Sequence, residues 1–192
     1  MKLILSSCDF RSEKARQVIL DNLPKPLSQC RLLFIPNEKC SPEKLQSGVY
    51  HRRMQEHGFS AENILVFDPR RPKAFCGLEL DVLYVSGGNS FLTLDLLRRC
   101  SFDRELIRYI RAGVPYIGGS AGAHLVSEDL SHLSCYDSPP EGMIDFRGLG
   151  LFPGILLCHF DSSRQAHYLQ LCAEGRFDVY PLTDEESLVF DA

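Results

Sequence analysis

Short, wholly apolar runs alternate with segments of helical periodicity along most of this chain, and no other feature restricts its possible folds as much. The runs predict strands at residues 2–7, 31–36, 63–68, the first part of 81–99, 114–118 and 154–160. Strands that are apolar throughout are typical of a parallel sheet that helices cover on both faces. The sequence therefore predicts an α/β fold with a mostly parallel sheet flanked by helices on both faces.

The segments between these strands carry helical spacing together with start and stop signals. Helices are predicted at 11–23, from 42 to about 57, within 81–99, at 102–111, from about 120 and at 162–173. Ser41 and Pro42 form a typical N-cap and first helical position, and Gly58 a typical end. Residues 127–153 are rich in proline and glycine and predict a long functional loop or short strands, while 178–182 and 187–191 predict closing strands. A single domain over residues 1–192 is expected, because no repeat or linker interrupts the pattern.

Charge and composition exclude several functional classes. The net charge is −4, and no basic stripe indicates nucleic acid as a partner. No run approaches the ~20 apolar residues that cross a bilayer, and the N-terminal apolar run is too short for a signal peptide, so a cytoplasmic protein is expected. The eight cysteines form no C-x-x-C pair, which favours reduced thiols. Acids and histidines do not cluster at ligand spacing, and neither a metal site nor a cofactor is predicted.

The stretch GGSAG at residues 118–122 follows a predicted strand and opens a predicted helix. It fits the G-x-S-x-G pattern of a nucleophile on a tight turn, where small neighbours permit a strained backbone. The helix N-terminus also offers free N–H groups to an oxyanion, with Ala121 as the first donor and the glycine turn at 87–88 as the best source of a second. The alternative interpretation of Ser120 is an ordinary helix-capping serine.

A serine nucleophile requires a base, and the base requires an acid that orients it. His159 is the histidine best placed as the base, because it lies near the end of an apolar strand downstream of Ser120. Spacing alone leaves the acid open. The candidates are Asp137, Asp161, Glu185 and Glu186.

Three segments, YVSGGNSFLTL, PYIGGSAGAHL and LFPGILLCHFD, resemble signature segments of peptidase family S51, which contains aspartyl dipeptidase and cyanophycinase. The resemblance spans nearly the whole chain and implies a sandwich similar to that of the class I glutamine amidotransferases. By position it makes Ser120 the nucleophile and His159 the base, with Gly88 and Ala121 as oxyanion donors. The YDSP segment matches a family loop that carries the acid and so nominates Asp137, whereas cyanophycinase-like members use a glutamate elsewhere.

The same resemblance implies a serine peptidase that acts through an acyl-enzyme on short peptides, including dipeptides with N-terminal Asp. Asn89, Asp161 and Arg164 are the candidates for substrate binding, with Arg164 or else Arg147 as the cation that meets an aspartyl carboxylate. One departure is Gly119, where aspartyl dipeptidases carry a large aromatic residue. The expected partner is a small peptide, and the chain is expected to be a monomer or homodimer. The alternatives are a non-catalytic binding or regulatory relative, or another serine acyl hydrolase such as an isopeptidase or esterase.

Overall fold

A computed structural model describes residues 1–192 of the chain. The strands are β1 (Lys2–Ser6), β2 (Leu32–Ile35), β3 (Ile64–Val66), β4 (Val82–Val85), β5 (Tyr116–Gly119), β6 (Ile155–Leu157), β7 (Val179–Pro181) and β8 (Ser187–Asp191). The α-helices are α1 (Glu13–Asn22), α2 (Pro42–Gln46), α3 (Val49–His57), α4 (Ser90–Arg99), α5 (Asp103–Arg111), α6 (Ala121–Leu125) and α7 (Gln165–Glu174). None of these helices is both long enough and apolar enough to cross a membrane.

Six strands form one sheet in the order β3-β2-β4-β5-β1-β8. Every neighbouring pair is parallel except β1 and β8, which are antiparallel. This arrangement confirms the predicted mostly parallel α/β fold. Parallel pairing also brings the carboxyl ends of β1, β4 and β5 together, because Ser6 is in register with Gly119 and Val85 with Gly118.

The predicted strand at 154–160 is shorter than expected and lies outside the large sheet. Its residues Ile155–Leu157 pair in parallel with Val179–Pro181 to form a separate two-stranded sheet. Loop backbone bonds continue the pairing, since Leu182 donates its N–H to Leu157 at 3.0 Å and Phe160 donates to Leu182 at 2.9 Å. The segment after β6 is therefore fastened to the segment after β7.

Both faces of the large sheet are buried, as wholly apolar strands require. Along β1, Leu3 and Leu5 belong to one apolar cluster and Ile4 to the other. Helices α4, α5 and α6 contribute to the first cluster, and α1 and α3 to the second. Apolar side chains therefore cover the sheet from both sides and leave its carboxyl edge for polar residues.

One predicted helix is divided in the structure. The helix expected from 42 to about 57 is broken into α2 and α3 at Gly48, whose φ of +70° lies in the left-handed region that ends a helix. Residues 127–153 form a long loop, which is one of the two predicted alternatives. They hold a 3₁₀ turn at Ser131–Cys135 and a single bridge between Asp129 and Arg147.

Candidate active site

Ser120 occupies a tight turn between β5 and α6, at the centre of the sheet's carboxyl edge. Its φ of 49° and ψ of −106° are unusual for a residue with a side chain, and strain of this kind persists only where the surroundings enforce it. Part of that enforcement is a hydrogen bond of 2.8 Å from the Ser120 N–H to the carbonyl of Ser6 at the end of β1. The strand-to-helix turn predicted from GGSAG is thus present with the geometry of a nucleophile elbow.

The glycines of the elbow are required by close packing. A Cβ on Gly119 would collide with the carboxylate of Asp9, and one on Gly122 would collide with the carbonyl of Val85. A Cβ on Gly118 would lie 2.7 Å from the Gly122 carbonyl oxygen. Small neighbours therefore let α6 approach the sheet closely enough to hold Ser120 in its strained conformation.

The structure joins Ser120 to a histidine and an aspartate in one chain of hydrogen bonds. Ser120 Oγ lies 2.8 Å from His159 Nε2, and His159 Nδ1 lies 2.5 Å from Asp184 Oδ1. The hydrogen bond from His159 lowers the pKa of the Asp184 carboxyl, which therefore stays ionised at neutral pH. A hydroxyl, an imidazole and a carboxylate in this order form the arrangement of a serine hydrolase triad.

Backbone contacts hold His159 in place. Its φ of 53° is again in the left-handed region, and its N–H donates to Ser7 Oγ at 2.9 Å. Ser7 in turn donates its hydroxyl to the Leu182 carbonyl at 2.8 Å, which ties the segment before Asp184 to the same point. Arg164 donates to the Cys158 carbonyl at 2.6 Å, directly before His159.

The thiol of Cys8 lies beside the triad. Cys8 Sγ, a ring nitrogen of His159 and a carboxylate oxygen of Asp184 are all within 4.8 Å of one another. Burial, and after it the neighbouring Asp184 carboxylate, raises the pKa of the Cys8 thiol. The thiol is therefore protonated at neutral pH.

The glycine turn at 87–88, which follows β4, lies beside Ser120 and His159. Asn37 Nδ2 donates to the Gly87 carbonyl at 2.8 Å, and a Glu38 carboxylate oxygen accepts the Asn89 N–H at 3.1 Å. A Cβ on Gly88 would lie 2.5 Å from that Glu38 carboxylate, so only glycine fits. Ala121 is the first residue of α6, where an N–H has no intrahelical acceptor.

Asp137 does not contact His159, which corrects the sequence-based choice of the acid. Its carboxylate accepts the Ser90 N–H at 2.7 Å, at the start of α4. Asn89 caps the same helix by accepting the Leu92 N–H at 2.9 Å, and its amide donates to the Ser138 carbonyl at 2.9 Å. The loop at 137–138 therefore supports the N-terminus of α4, and both the Asp137 and Asn89 side chains are engaged there.

The other predicted acids are also occupied elsewhere. Asp161 accepts the Ser163 N–H at 2.8 Å as an N-cap, Glu185 pairs with Lys14, and Glu186 accepts the Thr183 N–H at 2.8 Å. Asp184, which the sequence interpretation missed, lies in the same turn as Glu185 and Glu186. The pairing of β7 with β6 brings this turn close to His159. Asp184 is the carboxylate of the turn that makes the hydrogen bond.

Arg164, expected to meet a substrate carboxylate, is likewise engaged within the protein. Besides its bond to Cys158, its guanidinium stacks over the Tyr136 ring at 3.9 Å. Arg164 therefore supports the segment that carries His159 through its contacts with Cys158 and Tyr136.

The model of peptidase family S51 matches residues 3–192 of the chain. The chain belongs to peptidase family S51. An uncharacterized peptidase of Listeria monocytogenes is 29% identical over 113 residues, which are 56% of this chain and 55% of the relative. The "probable alpha-aspartyl dipeptidase" of Drosophila melanogaster is 28% identical over 144 residues, 73% of this chain and 57% of the relative. A peptidase E of Streptomyces coelicolor is 35% identical over 82 residues, 43% of this chain and 33% of the relative. The chain thus spans about half the length, or less, of these relatives.

Solved structures share the fold of this S51 chain. A Listeria monocytogenes EGD-e protein with a provisional peptidase E assignment superposes with a TM-score of 0.71 at 20% identity, over 100% of this chain and 98% of that one. A peptidase from an acI-B1 actinobacterium gives a TM-score of 0.57 at 13% identity, over 98% of this chain and 82% of that one. At these identities the likeness establishes the architecture alone.

A cavity of about 350 Å³ opens beside Ser120 in the S51 chain. It is lined by Asp9, Arg11, Asn37, Arg53, Gly87, Gly88, Ser120 and His159, none of which is hydrophobic. A larger hollow of about 630 Å³ beside His167 contains no residue of the hydrogen-bonded triad. The small polar cavity, and not the larger hollow, therefore adjoins Ser120 and His159.

Asp9, Arg11 and Arg53 were not predicted as site residues. Asp9 is 1% exposed, accepts a hydrogen bond of 2.8 Å from the Tyr84 hydroxyl, and has Arg11 Nε 3.8 Å from its other oxygen. The position of Asp9 and Arg11 just after β1 was the available signal, because parallel sheets place sites at the carboxyl ends of strands. Arg53 lies on the side of α3 and carried no such signal.

Proposed function

We propose that this chain is a serine peptidase that hydrolyses short peptides through Ser120, His159 and Asp184. The observation that carries the proposal is the continuous hydrogen-bonded chain from Ser120 Oγ through His159 to Asp184, with the serine held on a strained elbow. A helix-capping serine does not require a histidine at 2.8 Å from its hydroxyl. Membership of peptidase family S51 supports the same chemistry.

In the proposed reaction, His159 Nε2 takes the proton of Ser120 Oγ as the oxygen attacks the peptide carbonyl carbon. Asp184 holds the proton on Nδ1, which leaves Nε2 free to accept, and its charge stabilises the imidazolium that forms. The imidazolium then gives its proton to the departing amine. Water attacks the acyl-enzyme by the same route in reverse and releases the acid.

The backbone N–H groups of Gly88 and Ala121 are assigned to the oxyanion. Both are fixed before the substrate arrives, Gly88 by the packing of Asn37 and Glu38 and Ala121 by its place at the start of α6. Preorganised donors of this kind stabilise the charge that develops on the carbonyl oxygen and contribute several kcal/mol to catalysis, about 3–4 kcal/mol per donor in comparable sites.

The cavity supports a small, charged substrate. A volume of about 350 Å³ lies near the lower end of the range for ligand sites, and the lining is wholly polar. Arg11 and Arg53 supply positive charge beside Ser120, which suits the side-chain carboxylate of an N-terminal aspartate. The name of the Drosophila relative points to the same substrate class. We therefore assign dipeptides with N-terminal Asp as the preferred substrates.

The decisive experiment measures hydrolysis of dipeptides and aminoacyl nitroanilides that begin with Asp, Asn, Glu or Ala, by the wild type and Ser120→Ala. We expect Asp substrates to be cleaved fastest and Ser120→Ala to lose about 10⁴-fold or more in kcat. Hydrolysis that survives Ser120→Ala would overturn the mechanism. Cleavage of esters or isopeptides without cleavage of dipeptides would replace the peptidase by another acyl hydrolase, and folded protein that cleaves nothing would favour a binding relative.

The role of Arg53 in substrate binding is tested with one matched pair of variants. Arg53→Met removes a cation that lines the cavity, whereas Arg52→Met removes the neighbouring one, which donates to the Ser47 carbonyl outside the cavity. We expect Arg53→Met to raise KM for Asp substrates about tenfold or more and to leave Ala substrates unchanged. Equal effects of both variants, or equal effects on both substrates, would contradict the assignment.

A further inference from the structure

Cys8 brings a third type of metal ligand to the triad. The thiol, a ring nitrogen of His159 and the Asp184 carboxylate lie within 4.8 Å of one another, and they come from three separate segments of the chain. Nδ1 is the nitrogen that contacts Asp184, which makes it the ring atom that faces this cluster. Their surroundings are open to an ion, because the Asp184 side chain is 63% exposed and that of His159 is 34% exposed. The sequence predicts no metal site here, since nothing in local spacing brings these segments together.

Thiolate sulfur, imidazole nitrogen and carboxylate oxygen are the ligands that zinc takes in proteins, at about 2.0–2.3 Å and in tetrahedral geometry. Those bond lengths place ligand atoms about 3.3–3.7 Å apart. The His159–Asp184 contact of 2.5 Å has to open slightly, and separations of up to 4.8 Å have to close by at most about one ångström, which side-chain rotation supplies. The exposed side leaves the fourth position to water.

We propose that Cys8, His159 and Asp184 form a binding site for Zn²⁺, and for its softer analogue Cd²⁺, whose occupation inactivates Ser120. The binding part of this proposal stands on the three ligands alone. The inactivation part rests on the proposed function, because it requires His159 to be the base.

Zinc binding prevents the proposed catalysis because it changes which nitrogen of His159 carries the imidazole proton. In the resting triad Nδ1 carries the proton that it donates to Asp184, and Nε2 is free to accept from Ser120. A metal ion can bind Nδ1 only in the other neutral tautomer, so the single imidazole proton leaves Nδ1 and, by exchange with solvent, is carried on Nε2 instead. The Cys8 thiol releases its own proton to solvent as the sulfur–metal bond forms. Nε2 can no longer take the proton of Ser120, so acylation stops without any change of fold.

The binding test titrates Cd²⁺ into the wild type, Cys8→Ser, Asp184→Asn and Cys76→Ser and follows the ultraviolet charge-transfer band between thiolate and cadmium. Cys76 is an exposed thiol away from the triad and serves as the matched control. We expect one tight site in the wild type and in Cys76→Ser. Affinity should fall at least about tenfold in Asp184→Asn, and the tight band should disappear in Cys8→Ser. A tight band that persists in Cys8→Ser, or that Cys76→Ser removes, would overturn the site.

The inhibition test adds Zn²⁺ to enzyme that cleaves a peptide and then removes the ion with EDTA, each variant being compared with its own rate in chelator. We expect reversible inhibition in the wild type and in Cys76→Ser, and an inhibitory concentration at least about tenfold higher in Cys8→Ser. Tight zinc binding without inhibition would contradict the inactivation. If the protein hydrolyses no peptide, the cadmium band still decides whether the site exists, so failure of the peptidase proposal stays distinct from failure of the metal site.

Discussion

The Ser7 hydroxyl accepts the backbone N–H of His159 at 2.9 Å. The same hydroxyl donates to the Leu182 carbonyl at 2.8 Å, and the preceding residue, Ser6, accepts the N–H of Ser120 through its own carbonyl at 2.8 Å. Two consecutive serines at the end of β1 therefore anchor the proposed nucleophile Ser120, the proposed base His159 and the segment that leads to Asp184. The relative positions of the triad residues depend on this one strand end.

Replacing Ser7 by alanine should lower kcat while KM changes little. The side chain is fully buried, so the change leaves the His159 N–H and the Leu182 carbonyl without their partner and lets the base shift. A displacement of about 1 Å in a catalytic group can cost about 10²-fold in rate. Steady-state kinetics with an Asp dipeptide measures the effect, and Ser138→Ala, an exposed serine, is the control. A rise in KM at unchanged kcat would show that Ser7 acts on substrate binding.

Asp184→Asn should reduce kcat by about 10⁴-fold with the protein still folded, because an amide can no longer hold His159 in the required tautomer. Glu185→Gln, its exposed neighbour, and Asp137→Asn, which supports α4, should retain most of kcat. The three variants separate the acid found in the structure from those suggested by the sequence. If Asp137→Asn were the variant that lost activity, the assignment of Asp184 would be wrong.

Gly119→Ala should destabilise the fold and abolish activity, because its methyl group would collide with the Asp9 carboxylate under the elbow. Asp9→Gly in the same chain removes the colliding group, and its positive φ of 47° suits glycine. We expect the double variant to regain part of the thermal stability that Gly119→Ala loses. Gly142→Ala meets no neighbour and should cost only about 1 kcal/mol for its positive φ. Additive losses in the double variant would contradict the proposed collision.

The ion pair of Asp68 makes stability depend on acid pH. The Arg70 guanidinium binds both carboxylate oxygens at 2.8 and 2.9 Å and lowers the pKa of this buried aspartate to about 2. A lowered pKa stabilises the folded state above the unfolded pKa near 4, and this contribution is lost as the pH falls through 2. Asp68→Asn should therefore lower the free energy of unfolding by about 2 kcal/mol at pH 7.

Urea unfolding of the wild type and Asp68→Asn between pH 2 and 7 checks this expectation. The difference between the two proteins should shrink steadily below pH 4. Asp95→Asn is the control, because its pair with the exposed Arg99 on one helix is worth only about 0.5 kcal/mol. A difference for Asp68→Asn that stays constant with pH would show that packing, and not charge, is responsible.

The parts of the site that local pattern encodes were predictable from the sequence. Ser120 lies where a strand, two glycines and a helix follow one another, and His159 lies just beyond an apolar run. Asp184 was not predictable in this way, because it reaches His159 only through the pairing of β6 with β7. Asp137 was chosen by likeness of its loop, yet its carboxylate serves the start of α4. The hydrophobic periodicity of a segment predicts whether it is a strand, but it does not predict which distant strand it pairs with.

The cavity residues illustrate the same limit. Arg11 follows β1 closely enough for topology to have suggested it, whereas Arg53 lies on a helix whose sequence is that of an ordinary solvated face. Gly48 could have predicted the break in the helix, but the helical periodicity on both sides of it favoured one continuous helix.

The proposed nucleophile and the proposed base follow strands of different sheets. Ser120 follows β5 of the six-stranded sheet, whereas His159 and Asp184 follow the two strands of the small one. The small sheet has far fewer backbone pairs to hold it, so partial denaturation should detach it first. Hydrolysis would then cease while amide protons of the large sheet still exchange slowly with solvent. Loss of the proposed activity would accordingly report local unfolding of the small sheet before the rest of the protein unfolds.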